Sequence, residues 1–222
     1  MTALAQLQSK LTQIYDLGGP VVAVLLFISA VTLSVVLYKL WQYQAAGVGR
    51  HKALSHAIAA WDRGDRVGAK AHLDRSKSYL APVVGMVFAA RDTATVPLSD
   101  RVDAEATECF AKLERGLGLL DVVAQLAPLL GLFGTVLGMI KAFQTMQDAG
   151  ASVDPSLLAG GIWVALLTTA AGLAVAMPTS LILAWFEGRM ERERVFANRV
   201  LRTAFAPEGQ AEHQRVQALH GT

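Results

Sequence analysis

The sequence has one cysteine, Cys109, so no disulfide can close within the chain. It has little charge: 17% of its residues are Asp, Glu, Lys or Arg, and their balance leaves a net charge of +2. So small a positive excess does not mark a nucleic-acid binder, which needs a concentrated basic face to meet phosphates. Neither G-x-S-x-G nor a P-loop is present, so the local patterns that raise a nucleophilic serine or cradle a phosphate are missing. The five histidines, His51, His56, His72, His213 and His220, do not fall at metal-ligand spacing, so no metal site and no cofactor are read from them. Cys109 has no histidine partner that the sequence defines, and an enzymatic role is not expected.

The most informative absence is local. Three long runs, at 17–38, 122–140 and 157–186, contain no acidic or basic side chain, while 53% of the whole chain is hydrophobic. At a rise of about 1.5 Å per residue, roughly 20 residues cross a hydrocarbon core of about 30 Å, so each run is long enough to span a bilayer. The expected fold class is therefore an all-α membrane protein with three transmembrane helices. The first run is longer than a signal-peptide core and starts after sixteen polar-leaning residues, so it reads as a retained anchor.

Basic residues set the orientation. One Lys or Arg precedes the first run, twelve lie between Lys39 and Arg115, one is Lys141, and six follow from Arg189 onward. The positive-inside rule then places the long first loop and the C-terminus in the cytoplasm, and the N-terminus outside. The resulting division is 1–16 outside, 17–38 transmembrane helix one, 39–118 a cytoplasmic helical domain, 119–143 helix two, 144–156 an outer loop, 157–186 helix three, and 187–222 a cytoplasmic helix and tail. On the outer side the expected compartment is the periplasm.

The cytoplasmic region alternates apolar and charged residues, with breaks at Arg63-Gly64-Asp65 and Leu80-Ala81-Pro82, and reads as several helices. Ser99-Asp100 fits an N-cap for a helix carrying Val102, Ala106, Phe110, Leu113 and Leu117, which can run straight into the second membrane segment. Glu105, Glu108 and Arg115 are expected as solvated helix charges with some pairing one turn apart. After Phe186 a charged stretch precedes Val195, Phe196, Val200 and Leu201, which suggests a continuation of helix three with one packed stripe. Beyond Pro207 the chain turns polar, as a frayed tail does. Trp41, Tyr43 and Trp185 fit an aromatic belt at headgroup level, and Trp163 fits the outer belt less well.

Lipid tails already satisfy apolar side chains, so helices associate in a bilayer through close packing and hydrogen bonds, and small residues mark where backbones meet. Helix two carries such a stripe in Pro128, Gly131, Thr135, Gly138 and Ala142, and Gly134 with Gly138 makes a G-x-x-x-G. Helix three repeats it in Gly161, Ala165, Thr168 or Thr169, Gly172 and Ala176, with Pro178 beyond. The threonine hydroxyls can bond back to their own helix, which makes the stripes packing surfaces only. They can also donate to and accept from water, which would let Thr135, Thr168 and Thr169 line a proton path. Spacing does not choose between the two. Asp121, at the cytoplasmic end of helix two, reads either as a solvated boundary residue or as the inner mouth of a pore.

Two stretches carry a resemblance. Leu126-Ala-Pro-Leu-Leu-Gly-Leu-Phe-Gly-Thr-Val-Leu-Gly-Met-Ile140 and Gly160-Gly-Ile-Trp-Val-Ala-Leu-Leu-Thr-Thr-Ala-Ala-Gly-Leu-Ala-Val-Ala-Met-Pro178 resemble the second- and third-helix signatures of the MotA/TolQ/ExbB proton-channel family. Three helices favour its ExbB/TolQ branch, because the MotA-like members carry a fourth. The resemblance implies a bacterial inner-membrane ring, a pentamer of this subunit, around the single helices of two copies of an ExbD- or TolR-like partner whose aspartate carries the proton. It places Thr135 and Thr169 on the pore face near that aspartate. An ExbB-like subunit implies a TonB-like transducer and outer-membrane transport, and a TolQ-like one implies the Tol-Pal envelope system.

One position departs from the family's pattern. Many relatives carry a glutamate in helix three where this chain has Val164. A carboxylate in the membrane is expensive and usually functional, so its loss removes a titratable group. Two readings stay open: protons pass with the partner's aspartate and the threonines alone, or the chain is a non-conducting membrane scaffold.

Overall fold

The computed structural model describes residues 2–90, 96–148 and 155–208, with the side chains of 2–18, 96, 97, 155 and 157 excepted. Among these residues there is no strand. Seven helices follow in order: α1 (Thr2–Ala45), α2 (Lys52–Asp62), α3 (Arg66–Asp74), α4 (Ala81–Ala89), α5 (Val96–Glu114), α6 (Leu117–Asp148) and α7 (Pro155–Phe205). Three stretches are long and apolar enough to cross a membrane: Gly19–Ala45, Leu117–Asp148 and Leu158–Phe205. At 51 residues, α7 extends for about 75 Å, more than twice a hydrocarbon core.

α1 is kinked at Gly19, whose φ of 65° lies in the left-handed region that only glycine enters freely, and Pro20 follows at once. The apolar part of the helix therefore starts at the kink. The expected straight run of α5 into the second membrane segment is interrupted: Arg115-Gly116 separates α5 from α6, and Gly116 sits at φ 95°.

The chain forms two compact units. The first combines α1 up to Leu37 with α6 and with α7 up to Trp185. Its small core joins Leu25, Ala127 and Ala176, with Val21, Leu130, Ala171 and Val175 packed on it. Its outside is apolar: Phe27, Leu33, Leu129, Phe133, Leu166 and Leu181 are all exposed. A water-soluble protein would bury these side chains, and a bilayer accepts them.

The second unit combines the end of α1 from Tyr38, α2 to α5, and α7 from Phe186. The breaks fall where the sequence placed them. Gly64 has φ 84°, Asp65 caps α3 by accepting from the Gly68 amide at 2.8 Å, and Pro82 stands in the first turn of α4. Trp61 stacks on Phe88 with centroids 3.9 Å apart and donates its indole N–H to the Ala204 carbonyl at 3.0 Å, tying α2 and α4 to the end of α7. The α5 stripe of Val102, Ala106, Phe110 and Leu113 is buried, as its spacing predicts.

Three expectations change. α5 starts at Val96 with Pro97 second, so Ser99 and Asp100 lie inside its first turn and do not cap it. The packed stripe of α7 in this unit is Phe186, Met190, Glu193, Ala197, Val200, Leu201 and Ala204, while Val195 is 62% exposed. Helical spacing from Phe186 selects Glu193, a charge, because partners distant in sequence satisfy it. Tyr43 is buried edge-on against Phe186, with centroids 5.2 Å apart, and not held in an aromatic belt at headgroup level. The polar tail from 209, with His213 and His220, lies outside the described residues, as do positions 149–154 of the outer loop.

Candidate functional site

In the first unit, α6 and α7 run antiparallel with their small residues matched. A Cβ on Gly172 would lie 2.5 Å from the Ala127 carbonyl oxygen and 3.0 Å from the Gly131 Cα. One on Gly131 would lie 2.9 Å from the Thr168 carbonyl oxygen, one on Gly138 3.1 Å from the Ala165 Cβ, and one on Gly161 would collide with Ala142. Three of these contacts meet backbone and two meet an alanine Cβ, so any larger residue would push the helices apart. Gly134 meets Thr168 on one side and Val21 of α1 on the other, which brings the third helix to the seam.

The three threonines differ in what their hydroxyls do. Thr168 is 2% exposed and donates to its own helix at the Ala165 carbonyl, 2.7 Å, with the Gly131 carbonyl on α6 also in reach at 3.3 Å. Thr169 is partly exposed and donates across the seam to the same Gly131 carbonyl at 3.3 Å. Thr135, also partly exposed, donates back to Leu132 at 2.7 Å. Gly131 is therefore where both α7 hydroxyls converge. Each threonine oxygen keeps lone pairs, so Thr135 and Thr169 can still accept a hydrogen bond from a neighbour or from water.

Val164 lines a groove of about 680 Å³ with Gly19, Pro20 and Val21 of α1, Gly134, Leu137 and Gly138 of α6, and Gly160, Gly161 and Thr168 of α7. Lys141, Ala142 and Thr145 complete the lining. The glycines leave this volume because none has a side chain to fill it. Lys141 is the residue that sequence reasoning passed over here, although it is the lone basic residue on α6 and ends a 19-residue run without charge.

Asp121 is exposed and accepts from Gln125 at 2.7 Å on its own helix. Pro128 and Pro178 sit within α6 and α7, where neither can donate to the carbonyl four residues back, at Ala124 and Ala174. Trp41, Trp163 and Trp185 are exposed. Glu108 pairs with Lys112 at 2.7 Å on the surface of α5. Cys109 is partly buried, and burial pushes its thiol above the usual range, so it is a poor nucleophile. Among the described residues no group of three potential ligands could hold a metal ion.

The second unit holds a polar cluster that periodicity missed. Glu193 on α7 is 1% exposed and accepts from the Tyr79 hydroxyl at 3.0 Å. His51 Nε2 lies 3.1 Å from its other oxygen, with Arg189 at 3.8 Å. His51 also packs on Phe196, with ring centroids 3.9 Å apart. Burial and the adjacent carboxylate hold the Tyr79 phenol far above its ordinary value, so it stays a donor. The sequence signal for this cluster was only the charge at a core spacing of α7.

Comparison with known proteins agrees with this architecture. Residues 70–198, more than half of the chain, match the MotA/TolQ/ExbB proton channel family. A biopolymer transport protein exbB1 of Vibrio cholerae is 30% identical over 199 residues, covering 86% of this chain and 84% of its own. The biopolymer transport protein ExbB of Neisseria gonorrhoeae is 27% identical over 187 residues, 78% of this chain and 84% of its own. A shorter match, 43% over 83 residues, reaches a putative biopolymer transport protein ExbB-like 1 of Synechocystis, covering 36% of this chain and 33% of that one.

Proposed function

Because the chain belongs to the MotA/TolQ/ExbB proton channel family, we propose that it is the ExbB-like subunit of an inner-membrane motor driven by proton flow. In this reading several copies surround a single-span, ExbD-like partner, and the work passes to a TonB-like transducer that energises outer-membrane transport. The excess of Lys and Arg in 39–115 and after 189 supports a cytoplasmic second unit and C-terminus.

The observation that carries the proposal is the α6–α7 seam. Its contacts are with backbone or alanine Cβ atoms, which have no rotamer to give way, and it leaves Thr135 and Thr169 partly exposed beside it. A partner carboxylate that takes up a proton loses its charge, and the neutral acid moves along apolar walls at much lower cost. Thr135 and Thr169 would hydrogen-bond that acid or a water beside it, while buried Thr168 holds the wall in place. With valine at 164, the partner's acid is the titrating group in this scheme.

A non-conducting scaffold is the second reading, favoured by Val164 and by hydroxyls that already have carbonyl acceptors on this chain. The two share a first test, native mass measurement of the chain purified with its single-span partner. The motor proposal expects a ring of this subunit holding fewer copies of the partner, and a monomer that never binds the partner would end it.

A further inference from the structure

The groove lined by Val164 and Lys141 lies at a definite depth. On α6, residues 122–140 carry no charge, and 19 residues rise about 28 Å, close to the thickness of a hydrocarbon core. Asp121 and Lys141 bracket this run, so Lys141 stands at headgroup level. Gly134, seven residues deeper, lies about 10 Å into the hydrocarbon. The groove thus leads from the headgroups into the acyl region.

Its chemistry changes along that path. Lys141 is exposed at the rim and is the one charged residue of the lining among the described residues. The deep wall of Val21, Leu137, Val164 and the glycines is apolar. Thr168 on that wall directs its hydroxyl to the Ala165 and Gly131 carbonyls, so it offers no free donor. A cation above an apolar slot fits a phosphate ester that carries an acyl chain.

We propose that this groove binds an anionic phospholipid, its phosphate on Lys141 and the first part of one acyl chain along Leu137, Gly138 and Val164. A zwitterionic lipid is disfavoured, because its amine would find no carboxylate on the lining among the described residues. The assignment is independent of ion conduction, since it uses only the depth of the groove and its single charge.

The test is native mass spectrometry of the full chain, purified with its partner and exchanged into nanodiscs of phosphatidylethanolamine and phosphatidylglycerol. The wild type should retain phosphatidylglycerol about fivefold above its bulk share, the enrichment expected from one lysine at a membrane surface. Lys141→Ala should return the retained ratio to bulk, Lys141→Arg should keep it, and Val164→Phe should lower retained lipid by filling the slot. A wild-type ratio equal to bulk, or an unchanged ratio in Lys141→Ala, would overturn the assignment. So would a protein segment cross-linked into the groove from Lys141 in place of lipid. If Val164→Phe fails to fold, the two Lys141 variants decide.

Discussion

Thr169 on α7 donates its hydroxyl across the seam to the Gly131 carbonyl on α6, 3.3 Å away. Thr168 beside it reaches the same oxygen while buried, so adjacent threonines have unequal duties. Replacing Thr168 with Val should chiefly weaken packing, by about 1 kcal/mol, as interhelical hydrogen bonds in membranes are worth. Replacing Thr169 with Val removes the cross-seam bond at a partly exposed site, should cost less than about 1 kcal/mol, and should also reduce proton-dependent work. Thermal melting in detergent together with a transport assay separates the two, and identical profiles for the two variants would contradict the assignment.

The glycines predict a graded response. A Cβ on Gly172 would enter the Ala127 carbonyl and the Gly131 backbone, neither of which can rotate away, so Gly172→Ala should destabilise the chain by about 1–3 kcal/mol. Gly160 has nothing within 4 Å of the same position, and Gly160→Ala should be neutral in a melt of the solubilised chain.

Glu193 fixes the distal part of α7 within its unit. Glu193→Ala leaves the Tyr79 hydroxyl and His51 without their acceptor, and leaving a buried donor unsatisfied costs about 1–3 kcal/mol. Hydrogen exchange in residues 186–204 should accelerate strongly. Glu193→Gln retains an acceptor oxygen and should lose distinctly less. Equal exchange in both variants would show that the carboxylate does not hold the helix.

Cys109 should be nearly inert. Because burial raises its pKa, the thiolate forms only at higher pH than in a free cysteine, and alkylation at neutral pH should be slow, rising as the pH climbs above the usual thiol range. Cys109→Ser should leave activity unchanged. Rapid alkylation at pH 7, or loss of function in the serine variant, would reopen a catalytic role.

What the sequence made legible follows from which forces act locally. Exclusion of charge from three runs is a solvent effect that every residue registers separately, so the three spans could be read directly. The seam was visible as glycine spacing for the same reason. The unequal threonines were not, because residues 168 and 169 are adjacent and only the facing helix decides which is covered. Glu193 was hidden because its partners lie 114 and 142 residues away in the chain. The break at Gly116 was hidden because the apolar stripe passes through it unbroken, from Leu113 to Leu117. Lys141 could have been noticed as the charge that ends a membrane-length run, but its groove depends on three helices meeting.

The central claim is that this chain supplies the hydroxyl-bearing wall of a proton path. Proton uptake by proteoliposomes holding the chain and its single-span partner, driven by a potassium diffusion potential, tests it most directly. The account predicts measurable uptake for the wild type and its loss in a Thr135→Val, Thr169→Val double variant whose complex has unchanged mass. Equal uptake by the two complexes, or none by the wild-type complex, would contradict it.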